Sequence, residues 1–182
     1  MAHYRVFSAD QEIPGKILID LENAVGSEEI MPFFVKHGMT NIDSQAWYPM
    51  QKLLDIYNDM TDHKDGTMFD FVSIGMKEAE QAIVPSRFQT MSLSEILMSV
   101  TQVFDLNNRG SDYGSCKAEK VTDKHVRVTI RAATPDDIWY GVFYGFVSRF
   151  APKGVHFTLK YDPDIPHREN GGDETVIHIT WD

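Results

Sequence analysis

The side chains of this chain that could do chemistry are few and far apart. His156 and His178 lie in two stretches of alternating apolar and polar residues near the end of the sequence. Two histidines on one face of a sheet could ligate a metal ion, but no carboxylate is placed to complete such a site. A solvated polar sheet face is therefore the favoured interpretation of this pair.

Two acidic stretches carry groups suited to acid–base chemistry. Residues 62–65 read Asp-His-Lys-Asp, and residues 162–164 read Asp-Pro-Asp. Both have the composition of turns, and neither is accompanied by a nucleophile or a paired carboxylate. For the only cysteine, Cys116, an inert and partly buried thiol is favoured over a modifiable one. We predict no catalytic residues and no metal ligands.

Composition narrows the class of protein. The chain has 182 residues, of which 42% are hydrophobic, and this length predicts a single domain. Its formal net charge is −10, without a basic stripe, which argues against nucleic-acid binding. The single cysteine is typical of a reducing compartment. No run approaches the roughly 18–20 apolar residues that span a bilayer, and the first residues lack the apolar core of a signal peptide. We expect a soluble cytoplasmic protein.

Apolar residues recur at helical spacing through residues 1–110, which we predict to be mainly helical. Candidate helices cover residues 16–25, 27–38, 67–83 and 93–106, and a further one begins near residue 49. Ser27 is a predicted helix cap, and Ser92 with Glu95 forms a capping box. His37 is expected at a helix C-terminus, where it would interact favourably with the helix dipole.

Residues 111–182 change to strand-like alternation around one helix. Strands over residues 116–121 and 126–131 form a predicted hairpin. Thr134 is the predicted cap of the following helix, and Pro135 is its predicted first residue. Two more strands follow, and the last one ends near Trp181.

The last two strands can be paired by charge and pattern. Opposing Lys160 with Glu174 puts Phe157 opposite Ile177, and it puts His156 opposite His178 on the other face. The predicted fold class is α+β. An N-terminal helical part is followed by a four-stranded antiparallel sheet with a helix between its two strand pairs (ββαββ), all within one domain of residues 1–182.

Small and aromatic residues alternate along the last helix. Gly141 and Gly145 leave one side of it bare, which favours tight packing against a neighbouring element over space for a ligand. Trp139, Phe143 and Phe146 follow helical spacing and are predicted to be core residues. The alternative is an aromatic wall of an apolar pocket.

The order of elements from Lys117 to Trp181 resembles a superfamily of ligand-binding domains. The segment Gly-Val-Phe-Tyr-Gly-Phe from Gly141 and the Gly171-Gly172-Asp173 turn carry the resemblance. This superfamily includes haem-based nitric-oxide sensing (H-NOX) domains, vinyl-reductase-type sensor domains and Golgi-transport tethering subunits. The resemblance implies a single H-NOX-like or vinyl-reductase-type ligand-binding domain.

The best-known chemistry of that superfamily is haem binding through one histidine on the helix before the sheet. In this chain that helix has no histidine, and the axial position falls at or near Phe104, which cannot ligate iron. The tyrosine-serine-arginine signature for haem propionates has no match on residues 126–131. Vinyl-reductase-type domains often carry cysteines near their last strands, and none follows Cys116. Haem is therefore disfavoured, and the cofactor is left unknown.

Three hypotheses follow from the residues and the resemblance. The first is a non-enzymatic sensor or interaction domain that binds a small hydrophobic ligand and acts through dimerisation or a signalling partner protein. The second is a haem or metal sensor with an unusual ligand such as His37, His63 or the His156 and His178 pair. The third is an enzyme acting on a tetrapyrrole-like hydrophobic substrate. For the first, the expected neighbours of an apolar pocket between helices and sheet are Met98, Phe104, Trp139, Phe143 and Phe146.

Overall fold

The computed structural model describes residues 4–63 and 69–182. Its helices are α1 (Gly15–Val25), α2 (Ser27–Lys36), α3 (Met50–Thr61), α4 (Phe71–Gln81), α5 (Leu93–Leu106) and α6 (Asp136–Phe150). Its strands are β1 (Glu12–Pro14), β2 (Trp47–Pro49), β3 (Ser115–Thr122), β4 (His125–Arg131), β5 (Phe157–Tyr161) and β6 (Thr175–Trp181). Two short 3₁₀ helices cover Ser86–Gln89 and Arg168–Asn170. The predicted α+β class is confirmed.

The helices follow the predicted spacing closely. The capping box at the start of α5 forms as expected, because the Ser92 hydroxyl accepts from the Glu95 backbone and the Glu95 carboxylate accepts from the Ser92 backbone. Ser27 does not cap α2. It is the first residue of the helix, and its hydroxyl donates to Glu22. The predicted start of the fourth helix at residue 67 lies outside the described residues.

The four long strands form one antiparallel sheet in the order β3-β4-β6-β5. Val126, Val128 and Ile130 of β4 face the core together with Ile177 and Ile179 of β6. A separate two-stranded sheet joins β1 to β2. The sequence analysis did not predict this small sheet, since each of its strands has three residues and too little alternation to detect.

The predicted register of the last two strands is wrong by four residues. Lys160 pairs with His178 rather than Glu174, and Phe157 pairs with Trp181 rather than Ile177. Because the error is an even number, the same residues still face the core. The charge pairing was misleading, since residues 162–174 form a structured connection rather than a direct continuation of the strands.

The predicted cap of α6 is also wrong. Thr134 accepts a hydrogen bond from the Trp139 indole at 2.8 Å, and Pro135 precedes the helix instead of opening it. The Asp136 backbone N–H donates to the Glu169 carboxylate at 2.9 Å. This helix start is thus satisfied by a distant residue rather than by its neighbour in sequence.

Two hydrophobic cores share the molecule. The N-terminal core is formed by α1, α2 and α3 and includes Leu18, Phe34 and Tyr57. The C-terminal core is formed by α5, α6 and the sheet and includes Leu97 and Phe143. Helices α4 and α6 contribute to both cores and pack tightly against each other.

Glycines make the α4–α6 contact possible. A Cβ atom at Gly75 would lie 2.1 Å from the Ile138 carbonyl oxygen, and one at Gly141 would lie 2.1 Å from the Val72 carbonyl oxygen. A Cβ atom at Gly145 would lie 2.7 Å from the Ala79 side chain. The glycines of α6 therefore serve backbone packing, as the favoured interpretation predicted.

Across residues 4–63 and 69–182, no helix combines the length and hydrophobicity that crossing a membrane requires.

Candidate functional site

Four of the five predicted pocket residues lie together in the C-terminal core. The ring of Phe104, on α5, has its centroid 5.4 Å from that of Trp139 on α6. The Trp139 ring lies 6.4 Å from that of Phe143, one turn further along α6. Phe146 packs in the same core and stacks on Phe150 with centroids 6.1 Å apart. We call Phe104, Trp139 and Phe143, with Tyr113 beside Phe104 at 6.1 Å, the ring cluster.

The ring cluster fills the space between α5 and α6. Phe104 is 3% exposed and Phe143 is fully buried. Each such side chain stabilises the fold by roughly 1.5–3 kcal/mol through burial of its apolar surface. The space next to α5 is therefore occupied by the protein's own aromatic side chains.

Met98 is separated from the other four predicted residues. It is 37% exposed and lines a shallow cleft of about 380 Å³ at the start of α5. This cleft is lined by Met91, Ser92, Ser94, Glu95, Met98, Ser99 and Lys120. Phe104 lies on the buried side of α5, whereas Met98 lies on its exposed side.

A larger cleft of about 570 Å³ lies in the N-terminal half, between α2 and the end of α3. It is lined by Glu29, Pro32, Phe33, Lys36, Asp59, Asp62, His63 and Phe69. The sequence analysis missed this cleft, because the helices that form it are joined through tertiary packing rather than through a local motif. The turn composition of residues 62–65 was the available signal, and residues 64 and 65 lie outside the described residues.

The proposed histidine pair does not form. His156 is exposed, and its backbone N–H donates to the Asp182 carboxylate. His178 instead bonds to two other side chains, since its Nδ1 lies 2.8 Å from His125 Nε2 and its Nε2 lies 2.9 Å from Asp162 Oδ2. Partial burial and the neighbouring His178 and Arg127 lower the pKa of His125. Sequence reasoning missed His125, because its contact depends on the pairing of β4 with β6.

The remaining candidate residues are engaged in structural contacts. His37 follows α2, as predicted, and its Nε2 lies 2.6 Å from Asp59 Oδ2. The His63 ring packs edge-on against Phe33 at 5.4 Å. Cys116 is buried, and burial raises the pKa of its thiol to about 12. That pKa keeps the sulfur protonated and unreactive at neutral pH, in agreement with the inert interpretation.

A buried polar network holds the start of α6. Asp136 is almost fully buried, and its carboxylate accepts from Thr175 at 2.6 Å, from His167 at 3.0 Å and from the Glu169 backbone at 3.1 Å. Glu169 in turn accepts from the Asp136 backbone and from the Tyr4 hydroxyl. Sequence reasoning missed this network, because His167 and Thr175 lie 31 and 39 positions after Asp136.

The residues present do not fit a haem held from α5. The helix offers no histidine, and the position assigned to the axial ligand is Phe104, packed against Trp139. A phenyl ring donates no electron pair to iron. Within the part of the chain that the structure describes, no group of three or more His, Cys, Asp or Glu side chains could hold a metal ion.

Comparisons with known proteins show the fold. No family model matches the chain, and no curated protein matches it. Among solved structures, the H-NOX protein from S. oneidensis in the Fe(II)NO ligation state superposes with a TM-score of 0.69 at 14% identity, over 93% of this chain and 99% of that chain. A mutant of the T. tengcongensis H-NOX superposes with a TM-score of 0.65 at 14% identity, over 92% of this chain and 94% of that chain. The chain has an H-NOX-like fold.

Proposed function

We propose that this chain is a non-enzymatic sensor or interaction domain that uses an H-NOX-like fold without haem iron bound at α5. The observation that carries the proposal is the ring cluster, in which Phe104 stands in contact with Trp139 where an iron ligand would be needed. The two solved structures compared above are H-NOX proteins, one of them in the Fe(II)NO ligation state. In this chain the space between α5 and α6 is filled by apolar and aromatic side chains.

The proposed ligand is a small hydrophobic molecule that enters between α5, α6 and the sheet. The residues that would contact it are Phe104, Trp139, Phe143 and Phe146, whereas Met98 faces the separate cleft at the start of α5. Aromatic and aliphatic side chains dominate pockets for such ligands. Entry requires Phe104 or Trp139 to change rotamer, because both rings lie in the space that the ligand would take.

The proposed signal leaves through α6. This helix carries Trp139 and Phe143 in the C-terminal core, and it contacts α4 directly at Gly141. When a ligand enters, α6 would rotate to make room for the displaced rings. Because α6 contacts α4 directly, this rotation would also displace α4, which packs in the N-terminal core. A ligand that binds one arrangement better shifts the population toward it, and a protein partner or second copy reads the change.

The ring cluster offers little for an enzymatic alternative. The Cys116 thiol in the same core has a pKa raised by burial, and the Trp139 indole N–H is already bonded to the Thr134 hydroxyl. A general acid or base needs a group that titrates near the working pH and reaches the substrate. The proposal is therefore a binding function rather than a reaction.

The test combines native mass spectrometry and absorption spectroscopy of freshly purified protein with a titration of 1-aminoanthracene, an apolar fluorescent probe. We expect no Soret band and saturable probe binding. Phe104→Ala should increase the affinity by opening space, and Phe146→Trp should reduce it by filling space. Val103→Ala, an exposed neighbour on α5, is the matched control. Absence of probe binding and of any co-purified ligand would overturn the proposal, and a Soret band would favour a haem sensor instead.

A further inference from the structure

The cleft between α2 and the end of α3 combines aromatic walls with an acidic rim. Phe33 and Phe69 form the aromatic part together with His63. Glu29, Asp59 and Asp62 supply three carboxylates, and Lys36 is the one permanent cation among the described lining residues. At about 570 Å³ the cleft falls within the range of small-molecule sites.

The three rings face different directions. Phe33 and Phe69 are 5.6 Å apart at 81°, and Phe33 and His63 are 5.4 Å apart at 70°. His63 and Phe69 are 6.1 Å apart at 55°. Phe33 is 8% exposed and supports the other two rings, so the ring surface open to a compact ligand belongs mainly to Phe69 and His63.

The acidic groups of the rim are unequally compensated. Asp59 lies 2.7 Å from the Lys36 ammonium and 2.6 Å from His37. Burial opposes its ionisation, but the hydrogen bonds from Lys36 and His37 outweigh burial and hold the pKa of this carboxyl below its ordinary value. Glu29 and Asp62 are exposed, and neither forms an ion pair with another residue of 4–63 and 69–182.

We propose that this cleft binds a small organic cation of the alkylammonium class. Aromatic faces attract such cations through the quadrupole of the ring, and more strongly where the ring is desolvated. The exposed carboxylates of Glu29 and Asp62 add electrostatic attraction, and the net charge of −10 raises the local concentration of cations around the whole protein. A bare metal ion fits less well, because no three or more of the described His, Cys, Asp and Glu side chains are grouped so that they could hold one.

The alkyl groups of the ligand matter as much as its charge. A primary ammonium needs hydrogen-bond acceptors for its three donors, and here only the rim carboxylates supply them while the rings supply none. A trimethylammonium group has no donors to satisfy and spreads its charge over methyl groups that pack against rings. The expected order of affinity is therefore quaternary ammonium, then primary amine, then neutral isostere.

This inference does not rest on the proposed function. The ring cluster belongs to the C-terminal core, whereas Phe33 belongs to the N-terminal core. Phe104→Ala should leave cation binding unchanged, and variants of the cleft should leave binding of the apolar probe unchanged. Failure of either proposal is thus separable from failure of the other.

The test is a titration of the full chain with choline chloride, followed by two-dimensional ¹H–¹⁵N NMR spectra. Ethanolamine and 3,3-dimethyl-1-butanol, the neutral carbon isostere of choline, are titrated in parallel at constant ionic strength. We expect saturable shifts confined to α2, the end of α3 and residues near Phe69, with choline binding at least about threefold more tightly than the isostere.

Two variants locate the interaction. Phe69→Leu keeps apolar volume but removes a π face, and should weaken choline binding about threefold or more. The double substitution Glu29→Gln with Asp62→Asn changes only exposed positions and should weaken choline but not the isostere. The Glu28 control combines Glu28→Gln with Glu80→Gln, two exposed positions outside the cleft lining, and so removes the same number of charges. Circular dichroism verifies folding of each variant.

Three results would overturn the proposal. They are equal binding of choline and its neutral isostere, shifts that map outside the cleft, and equal effects of the Glu28 control and the double variant. If Phe69→Leu does not fold, the double variant still decides the outcome, because its substitutions lie on the surface.

Discussion

Helix α6 packs closely against both α4 and α5, but the two contacts are made by different kinds of residues. Toward α4, Gly141 of α6 and Gly75 of α4 carry no side chain, so that backbone meets backbone. Toward α5, Trp139 and Phe143 fill the gap with large rings. A contact without side chains has no rotamers to change, whereas a contact made of rings can rearrange when a single χ angle turns.

This difference assigns roles to the two contacts. We expect the α4 side to act as a rigid contact, so that α4 moves together with α6 and links the N-terminal and C-terminal cores. The α5 side is the adjustable one, and it is where the proposed apolar ligand would act. Substitutions that change the number of atoms at each contact test this division of roles.

The largest expected change in stability comes from removing an aromatic ring from the contact between α5 and α6. Phe104→Ala should lower the free energy of unfolding by about 3–5 kcal/mol, because it removes buried apolar surface and leaves a cavity. Urea unfolding followed by circular dichroism measures the loss, with the exposed Val103→Ala as control. Addition of the apolar probe should recover part of the lost stability. A loss below about 1 kcal/mol would mean that the ring cluster is not tightly packed.

Adding a side chain at the contact between α4 and α6 should lower the free energy of unfolding somewhat less. Gly141→Ala would place a Cβ atom 2.1 Å from the Val72 carbonyl oxygen, so the helices must separate. We expect a net loss of about 1–3 kcal/mol from overpacking, despite the better helix propensity of alanine. Ser148→Ala, at an exposed position of α6, should be neutral or slightly stabilising. A gain in stability for Gly141→Ala would show that the contact between α4 and α6 is not closely packed.

The third effect depends on pH and concerns the opposite side of α4. Burial, and then the charge of Asp20, raise the pKa of Glu78 to about 8, and Lys16 partly offsets this. Its Oε1 atom is buried without a hydrogen-bond partner. Because the folded-state pKa is raised above the ordinary value of 4.5, the stability contribution of Glu78 is complete below pH 4.5 and is lost as the pH rises toward 8.

Glu78→Gln removes this titration. The free energy of unfolding of the variant, relative to the unsubstituted chain, should therefore grow by about 1.4 kcal/mol per pH unit between pH 5.5 and 7.5. Urea unfolding at three pH values measures the slope, and Glu80→Gln, an exposed position on the same helix, should show none. A flat difference for Glu78→Gln would show that water reaches the carboxyl group and that this side of α4 is open.

Local patterns were sufficient to predict most of the fold. The apolar spacing of α5 and its capping box are properties of adjacent residues, as is the alternation of β4. Long-range contacts were not predictable in the same way. The register of β5 against β6 depends on the folded connection between them, and the true partner of Thr134 is the Trp139 indole.

The same distinction between local patterns and long-range contacts applies to the candidate sites. Helical spacing correctly brought Phe104, Trp139 and Phe143 into one core, because each lies on the apolar side of its helix. Whether they line a pocket stays a prediction. The cleft between α2 and the end of α3 brings Phe33 and Phe69 into contact from distant parts of the sequence, and no short sequence motif predicts this contact.

The reciprocal bonds between Asp136 and Glu169 have a consequence for the order of folding. Each residue satisfies the other's backbone, across 33 positions of sequence. We expect the Asp136–Glu169 bonds to form only once the connection between β5 and β6 has folded back onto the helix, because closing a loop of this length costs entropy before any contact repays it. The N-terminal end of α6 should thus be the last part of the helix to become protected during refolding.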